Sequence, residues 1–222
     1  MTYRVVVPIF EDITALDAVG PYEVLNRLPG TEVIFCSTTT GTKFTDTRTL
    51  GMMATHTLDE IDRADVLVMP GGFGTRPLCE DETWLDWIRA IHETTDWTTS
   101  VCTGSLVLAA AGLLKGLRAT THWSELETLA HYGAEPTQER VVEQGKIITA
   151  AGVSSGIDMA LVLVQRLMGD EVSQAIQLAI EYDPQPPFDS GSLAKAPQPV
   201  IDLLRAAMAD RAEKVAEAAA NA

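Results

Sequence analysis

The sequence predicts an α/β protein in which a doubly wound, mainly parallel sheet lies between two layers of helices. Three observations indicate this fold class. Strand-like and helix-like segments alternate along the chain, several strand-like runs are apolar throughout, and neither an internal repeat nor a linker divides the sequence. Continuous apolar runs are typical of strands covered on both faces, and alternation with helices is typical of parallel sheets.

The first half of the chain carries this alternation most clearly. The apolar run Arg4–Phe10 predicts a buried first strand. Gly20-Pro21 predicts the start of a helix that continues through Leu28, because proline is tolerated in a first helical turn. The following segments predict strands over 32–37 and 64–69, a threonine-rich hairpin within 45–58, and a helix over 82–94.

The second half continues the pattern. Residues 98–102 predict a strand that is followed at once by a helix over 103–114, and this helix is apolar almost all round and therefore buried. Further segments predict a strand over 118–123, a helix over 124–132, a hairpin over 139–149, and helices over 155–168 and 170–181.

The last forty residues differ in character. Residues 183–199 are rich in proline, and residues 200–219 have the spacing of an amphipathic helix. We expect a single domain over residues 1–222, with 183–222 as a proline-rich segment and a C-terminal helix attached to it.

Composition excludes several classes of function. The chain has 222 residues with 16 basic and 31 acidic side chains, a formal net charge of −15, which disfavours generic binding of nucleic acid. No apolar run approaches the roughly 18 residues of a membrane span, and the N-terminus does not resemble a signal peptide. We therefore expect a soluble, cytoplasmic protein. The 3 cysteines and 4 histidines show no disulfide or metal-ligand spacing, so we predict no metal site.

The most informative motif is Ser100–Gly104, where a cysteine stands at a direct strand-to-helix junction. This is the layout of a nucleophile elbow. A helix N-terminus favours the thiolate form of Cys102 and leaves the Thr103 N–H available to a developing anion. Because Gly71 and Gly72 lack side chains, a second backbone N–H could approach the same point, as in an oxyanion hole. The alternative is that Cys102 is an ordinary buried core cysteine.

Other candidate residues carry weaker signals. The segment Gly152–Gly156 matches G-x-S-x-G, but every histidine precedes Ser154, so the residue order of a serine hydrolase is missing and a turn is the better interpretation. Cys36 fits a core position in a strand, and acidic neighbours raise the pKa of Cys79. His122 ends a predicted strand near the expected functional edge, where a structural role is the simpler interpretation.

The chain resembles the ThiJ/PfpI superfamily, and within it the isocyanide hydratase branch. The resemblance rests on several motifs, namely Asp17–Pro21, Met69–Gly72, Ser100–Ser105, Ala109–Leu114, Arg118–Trp123, Glu139–Val142, Gly156–Asp158 and Tyr182–Phe188. It implies a three-layer flavodoxin-like fold, similar to class I glutamine amidotransferases, and a homodimer. It further implies that Cys102 is the nucleophile, that Asp17 is its acid–base partner, and that Gly72 and Thr103 supply backbone donors. By the same resemblance the Thr103 hydroxyl orients a reacting group, and the segment Ala151–Val153 lines the pocket.

Two positions bear on the activity that this resemblance implies. Protease-like members place histidine directly after the cysteine, where this chain has Thr103, and deglycase-like members carry glutamate where this chain has Asp17. The implied reaction is hydration of an isocyanide to an N-substituted formamide, without cofactor or metal. Burial beside a thiolate predicts a raised pKa for Asp17.

Three alternatives stay open at this point. The first is a glyoxalase- or deglycase-like enzyme that acts on small aldehydes with the same cysteine and acid. The second is a redox sensor in which Cys102 is oxidised to a sulfinate. The third is a module that only binds a small ligand.

Overall fold

A computed structural model describes residues 3–220 of the chain, with side chains described for residues 3–209. Residues 3–182 form one compact unit and residues 183–220 another. The division falls where the sequence changes to its proline-rich segment. That all 222 residues act as a single domain stays a prediction.

The first unit is built on a seven-stranded sheet. Its strands are β1 (Tyr3–Pro8), β2 (Thr31–Ser37), β5 (His56–Thr57), β6 (Val66–Met69), β7 (Trp97–Val101), β10 (Val141–Gln144) and β11 (Ile147–Ala150). Two small sheets pair β3 (Gly41–Phe44) with β4 (Gly51–Ala54), and β8 (Arg118–Ala119) with β9 (Glu135–Pro136). The order in the main sheet is β10-β11-β7-β6-β1-β2-β5, and every pairing is parallel except β10 with β11. The predicted α/β fold with a mainly parallel sheet is confirmed.

Helices cover both faces of this sheet. They are α1 (Ala15–Leu25), α2 (Thr75–Leu78), α3 (Glu82–Thr94), α4 (Gly104–Ala110), α5 (Leu126–His131), α6 (Ser155–Met168) and α7 (Asp170–Ala179). Helix α6 contacts both α1 and α7, whereas α4 contacts α2, α3 and α5. The connection from β1 to β2 moves towards the β5 edge of the sheet, whereas the connection from β6 to β7 moves towards the β10 edge. Right-handed crossovers therefore place the two groups of helices on opposite faces.

Burial explains why these segments fold as they do. All residues of β6 are buried, as expected of a strand covered on both faces. Helix α3 buries one stripe of large apolar side chains, and its first turn is capped by Asp81, whose carboxylate accepts a hydrogen bond of 2.9 Å from the Thr83 N–H. No helix within residues 3–220 is both long and apolar enough to cross a membrane.

The direction of the crossovers reverses between β1 and β6, so the sheet has its topological switch point there. Ligands of open α/β sheets bind beyond the carboxyl ends of the strands at such a point. The segments that follow β1, β6, β7 and β11 all leave the sheet at this edge.

The largest differences from the sequence prediction concern α1, α4 and the strand predicted over 118–123. Helix α1 begins at Ala15 instead of Gly20, so Asp17 lies in its first turn and Pro21 in its interior. Helix α4 ends at Ala110, and the strand predicted over 118–123 is limited to β8. By contrast, α3 and α6 have the predicted bounds, and the hairpin predicted over 139–149 forms as β10–β11. The hairpin predicted within 45–58 is displaced towards the N-terminus, because its first strand, β3, ends at Phe44 and residues 45–50 form the connection to β4.

Candidate active site

Cys102 stands between β7 and α4 in a conformation that side chains rarely adopt. Its φ angle is +57°, in the left-handed region. Its N–H donates to the carbonyl oxygens of Ala150 and Ala151, at 3.1 and 2.8 Å, so the end of β11 holds the turn. A left-handed residue with a side chain costs roughly 1–2 kcal/mol, which the surrounding contacts offset. The predicted strand-to-helix elbow is present.

A glycine allows this elbow to approach the neighbouring strand. A Cβ atom added at Gly104 would lie 2.1 Å from the Met69 carbonyl oxygen and 2.7 Å from that of Pro70. Only glycine therefore lets the start of α4 pack against the end of β6 at this distance. The close approach brings Cys102 to the residues that follow β6.

Hydrogen bonding from two backbone N–H groups, those of Thr103 and Val153, lowers the pKa of Cys102 and so favours its thiolate. Val153 also has a left-handed backbone, with φ +36°. It belongs to the segment that the family resemblance places beside the pocket. The structure brings this segment to the sulfur from β11, while Thr103 comes from the elbow itself.

The carboxyl group of Asp17 is the charged group that acts on the sulfur. Asp17 is fully buried, and its Oδ2 accepts a hydrogen bond of 2.9 Å from the Gly71 N–H. Burial raises the pKa of Asp17 to about 7, although hydrogen bonds from the Gly71 N–H and the Cys102 thiol favour the carboxylate. The predicted rise in the pKa of Asp17 is thus confirmed. Within residues 3–209, Asp17 Oδ1 is buried without a hydrogen-bond partner, which leaves this atom available to hold a proton.

The electrostatics of the sulfur differ from the sequence expectation. The helix N-terminus predicts a pKa below the ordinary value, but the pKa of Cys102 is raised, first by burial and then by the negative charge of Asp17. Only 6% of Cys102 is exposed. The two backbone donors favour the thiolate but do not outweigh the loss of solvent. Burial thus raises the pKa of both members of the Asp17–Cys102 pair.

The N–H groups of Gly71 and Gly72, which follow β6, have hydrogen-bond partners that differ from the sequence prediction. The Gly72 N–H, expected beside a developing anion, donates instead to Thr103 Oγ1 at 2.9 Å. The Gly71 N–H is used by Asp17. The Thr103 hydroxyl in turn donates to the Gly72 carbonyl at 3.1 Å and accepts from Thr75 at 3.1 Å. In this structure the N–H groups that reach the sulfur are those of Thr103 and Val153, and the hydroxyl of Thr103 joins the elbow to the loop after β6.

Substitution of Gly71 with alanine is expected to damage the site more than the fold. The added Cβ would lie 2.6 Å from the Thr103 nitrogen, 2.8 Å from Thr103 Oγ1 and 2.8 Å from Asp17 Oδ2. Since the Thr103 N–H favours the Cys102 thiolate and Asp17 is its acidic partner, we expect alkylation of the Cys102 thiol to slow by at least about tenfold, the effect of losing one well-placed hydrogen bond. Gly191→Ala, where a Cβ meets no atom within 4 Å, is the control. Wild-type alkylation kinetics in the Gly71 variant would contradict this prediction.

Two further candidate residues, His122 and Ser155, have their hydrogen-bond partners outside the Asp17–Cys102 pair. His122 packs against Gly152, where an added Cβ would lie 2.7 Å from its ring, and its Nδ1 is 2.8 Å from Ser124 Oγ. Ser155, predicted to cap α6, lies in its first turn and donates to the Gly152 carbonyl at 3.1 Å.

Within residues 3–209, neither of the other cysteines is hydrogen-bonded to a buried carboxyl group, as Cys102 is to Asp17. Burial raises the pKa of Cys36 to about 12 and that of Cys79 to about 11. In the part of the chain that the structure describes, no group of three His, Cys, Asp or Glu side chains could hold a metal ion.

The fold and this site define a class of protein, a flavodoxin-like α/β protein with a cysteine on a nucleophile elbow beside a buried acid. Residues 3–166 match the DJ-1/PfpI family. The chain belongs to this family, as the sequence resemblance predicts.

Individual relatives agree with this assignment. The chain is 44% identical over 204 residues to the isonitrile hydratase of Pseudomonas putida, covering 89% of this chain and 86% of that protein. The crystal structure of a ThiJ/PfpI family protein from Pseudomonas syringae matches with a TM-score of 0.91 and 35% identity, over 95% of this chain and 87% of that one. Drosophila melanogaster DJ-1beta matches with a TM-score of 0.73 over 82% of this chain and 98% of that one, but at 22% identity this likeness shows the fold alone.

Proposed function

We propose that this protein is an isonitrile hydratase, which adds water to an isocyanide and releases an N-substituted formamide. Cys102 is the nucleophile and Asp17 the acid and base. The observation that carries the proposal is the buried Asp17–Cys102 pair. It stands in a chain that aligns with most of the Pseudomonas putida isonitrile hydratase.

The first step is formation of a covalent adduct. The terminal carbon of an isocyanide is electrophilic towards a soft nucleophile such as a thiolate. The thiol proton moves to Asp17, the sulfur bonds to that carbon, and Asp17 returns the proton to the carbon. The product is a thioimidate, enzyme–S–CH=N–R, and Asp17 is then a carboxylate.

The raised pKa of both groups is compatible with this proton transfer. Burial penalises a negative charge on either residue. When the pair holds one proton, however, moving it from sulfur to oxygen leaves one buried negative charge before and after the transfer. The cost of burial therefore largely cancels, and the Thr103 and Val153 N–H groups stabilise the thiolate arrangement.

The second step is hydrolysis of the adduct. Asp17 accepts a proton from water as the water oxygen bonds to the thioimidate carbon, and it delivers that proton to the nitrogen. The carbon–sulfur bond of the resulting adduct then breaks. The hydroxyl proton returns to the acid–thiol pair and the N-substituted formamide leaves. The Asp17–Cys102 pair thus ends the cycle with the single proton that it held at the start, and water is the only co-reactant of the isocyanide.

The burial of Cys102 disfavours a role as a redox sensor. The thiolate is the form that peroxide oxidises, and sensor cysteines combine exposure with a low pKa. Cys102 is 6% exposed and its pKa is raised. Small aldehydes remain a competing substrate class, because the same two side chains would serve a glyoxalase-like reaction.

A comparison of two substrate classes tests the proposal. We expect the purified protein to convert an alkyl or aryl isocyanide to the corresponding formamide, followed by NMR, with much slower formation of lactate from methylglyoxal. Lactate without formamide would overturn the assignment in favour of the aldehyde chemistry. Formation of neither product, with stoichiometric oxidation of Cys102 by peroxide, would favour the sensor. The cytoplasmic location expected from the sequence and the homodimeric assembly that the family resemblance implies belong to the same proposal.

A further inference from the structure

The carbonyl oxygen of Cys102 accepts hydrogen bonds from two buried hydroxyl groups. Thr121 Oγ1 donates to it at 3.0 Å and Ser105 Oγ at 3.1 Å. Thr121 is 1% exposed and Ser105 is fully buried. Ser105 is a neighbour in the first turn of α4, whereas Thr121 comes from a separate segment after β8. The Thr121 hydrogen bond is therefore a tertiary contact made specifically to the elbow.

This carbonyl shares a peptide group with the N–H of Thr103. A peptide group is planar and trans, so its C=O and N–H point in opposite directions and rotate together. Whatever fixes the direction of the Cys102 carbonyl also fixes the direction of the Thr103 N–H. That N–H is one of the two backbone donors to the sulfur.

We propose that Thr121 is a positioning residue that, by holding the Cys102 carbonyl, keeps the Thr103 N–H directed at the sulfur. Ser105 supports the same carbonyl from α4. In the proposed hydratase, on which the catalytic meaning of this inference rests, the aligned N–H stabilises the thiolate before attack and when the product leaves. A donor on the carbonyl also polarises the peptide and strengthens its N–H as a donor.

Thr121 is itself held by the neighbouring strand. The N–H of Thr120 donates to Thr149 Oγ1 on β11 at 2.9 Å. This contact fixes the backbone next to Thr121, just after the observed strand β8 ends at Ala119. The irregular segment thereby presents the Thr121 hydroxyl to the elbow.

Thiol reactivity tests this inference independently of isocyanide turnover. The rate of alkylation of Cys102 by iodoacetamide is measured against pH, with the modified residue identified by peptide mass spectrometry. Thr121→Val removes the hydroxyl at nearly constant shape. We expect alkylation about five- to tenfold slower near neutral pH, as for loss of one hydrogen bond, with the profile displaced to higher pH. Thr121→Ser keeps the hydroxyl and is expected to restore the wild-type profile.

Thr99→Val is the matched control. Thr99 is fully buried, and its hydroxyl donates to the Leu67 carbonyl at 3.0 Å, a similar bond on β7 that does not involve the Cys102 peptide. We expect it to lower the thermal midpoint of unfolding without changing alkylation. Ser105→Ala, a smaller change at the same carbonyl, is expected to slow alkylation in the same direction and serves if Thr121→Val does not fold.

The outcomes separate this inference from the proposed function. A wild-type alkylation profile in Thr121→Val, or in Ser105→Ala should the valine variant not fold, would overturn the inference even if the protein hydrates isocyanides. Failure of Thr121→Ser to restore reactivity would overturn it as well, because packing of the methyl group would then be responsible. Slower alkylation in a protein that does not hydrate isocyanides would support the positioning role and reject the hydratase.

Discussion

Replacing Cys102 with alanine is expected to abolish isocyanide hydration, lowering kcat by a factor on the order of 10⁵–10⁶, as removal of the nucleophile does in other covalent enzymes. The other two cysteines cannot take its place. Cys36 and Cys79 both lie outside the strand-to-helix elbow, and no buried carboxyl group among the described residues is hydrogen-bonded to either of them in the way that Asp17 is paired with Cys102. Formamide production by the purified variant is the measurement.

Two further variants sharpen this prediction. Cys79→Ala removes a half-buried cysteine outside the site and is expected to keep wild-type turnover. Cys102→Ser retains a side chain of similar shape, but a hydroxyl is a poor nucleophile for the isocyanide carbon, so it should be as inactive as alanine. Formamide production by Cys102→Ala at more than a small fraction of the wild-type rate would remove covalent catalysis from the mechanism.

Replacing Asp17 with asparagine is expected to lower kcat by about 10²–10⁴-fold, the usual contribution of general acid–base catalysis. Asparagine keeps the shape and can still accept from the Gly71 N–H, but it cannot exchange a proton with the sulfur or with water. If attack survives better than hydrolysis, the thioimidate accumulates. Mass spectrometry of the variant mixed with an isocyanide should then show a mass increase on Cys102 equal to that of the substrate.

The pH dependence distinguishes loss of a proton carrier from simple damage. The reactive pair holds one proton, so wild-type kcat/KM should rise with pH through about 7, where Asp17 ionises, and then remain level in the alkaline range. The Asp17→Asn profile should lack this rise. An unchanged inflection near pH 7 in the variant would assign the titration to another group.

The pH dependence of the free energy of unfolding provides a second, independent test of the raised pKa of Asp17. The pKa of Asp17 is about 7 in the folded protein against an ordinary 3.8, so the folded state keeps a proton that the unfolded chain releases. This group therefore makes the fold less stable as pH rises from about 4 to about 7, by up to about 4 kcal/mol in total. Denaturant unfolding of Asp17→Asn should show a weaker decline over this window than the wild type.

The sequence predicts this fold well wherever apolar patterning decides the structure. The bounds of α3 and α6 follow from side chains spaced along one helical face, and β6 follows from a short run that is apolar throughout. The start of α1 could not be predicted in this way. Gly20-Pro21 favours a helix start there, but packing of α1 against α6 extends the helix back to Ala15, and Gly20 allows the contact because a Cβ would lie 3.1 Å from Ile157.

The site was predictable in its side chains but not in its backbone. A cysteine at a strand-to-helix junction is visible in the sequence, and the family resemblance supplies Asp17 with its raised pKa. The partners of individual N–H groups depend on how peptide planes are turned, which no residue pattern encodes. For this reason the partner of the Gly72 N–H, the direction of the Cys102 pKa and the contribution of Thr121 emerged only from the structure.

Cys102 and Val153 both carry side chains in a backbone conformation that glycine adopts more readily. A glycine at either position would relieve the strain of the left-handed backbone. At position 102, however, the same change deletes the sulfur. Selection of variants for heat resistance alone would therefore favour glycine at position 102, and a variant obtained in this way would lack the proposed nucleophile.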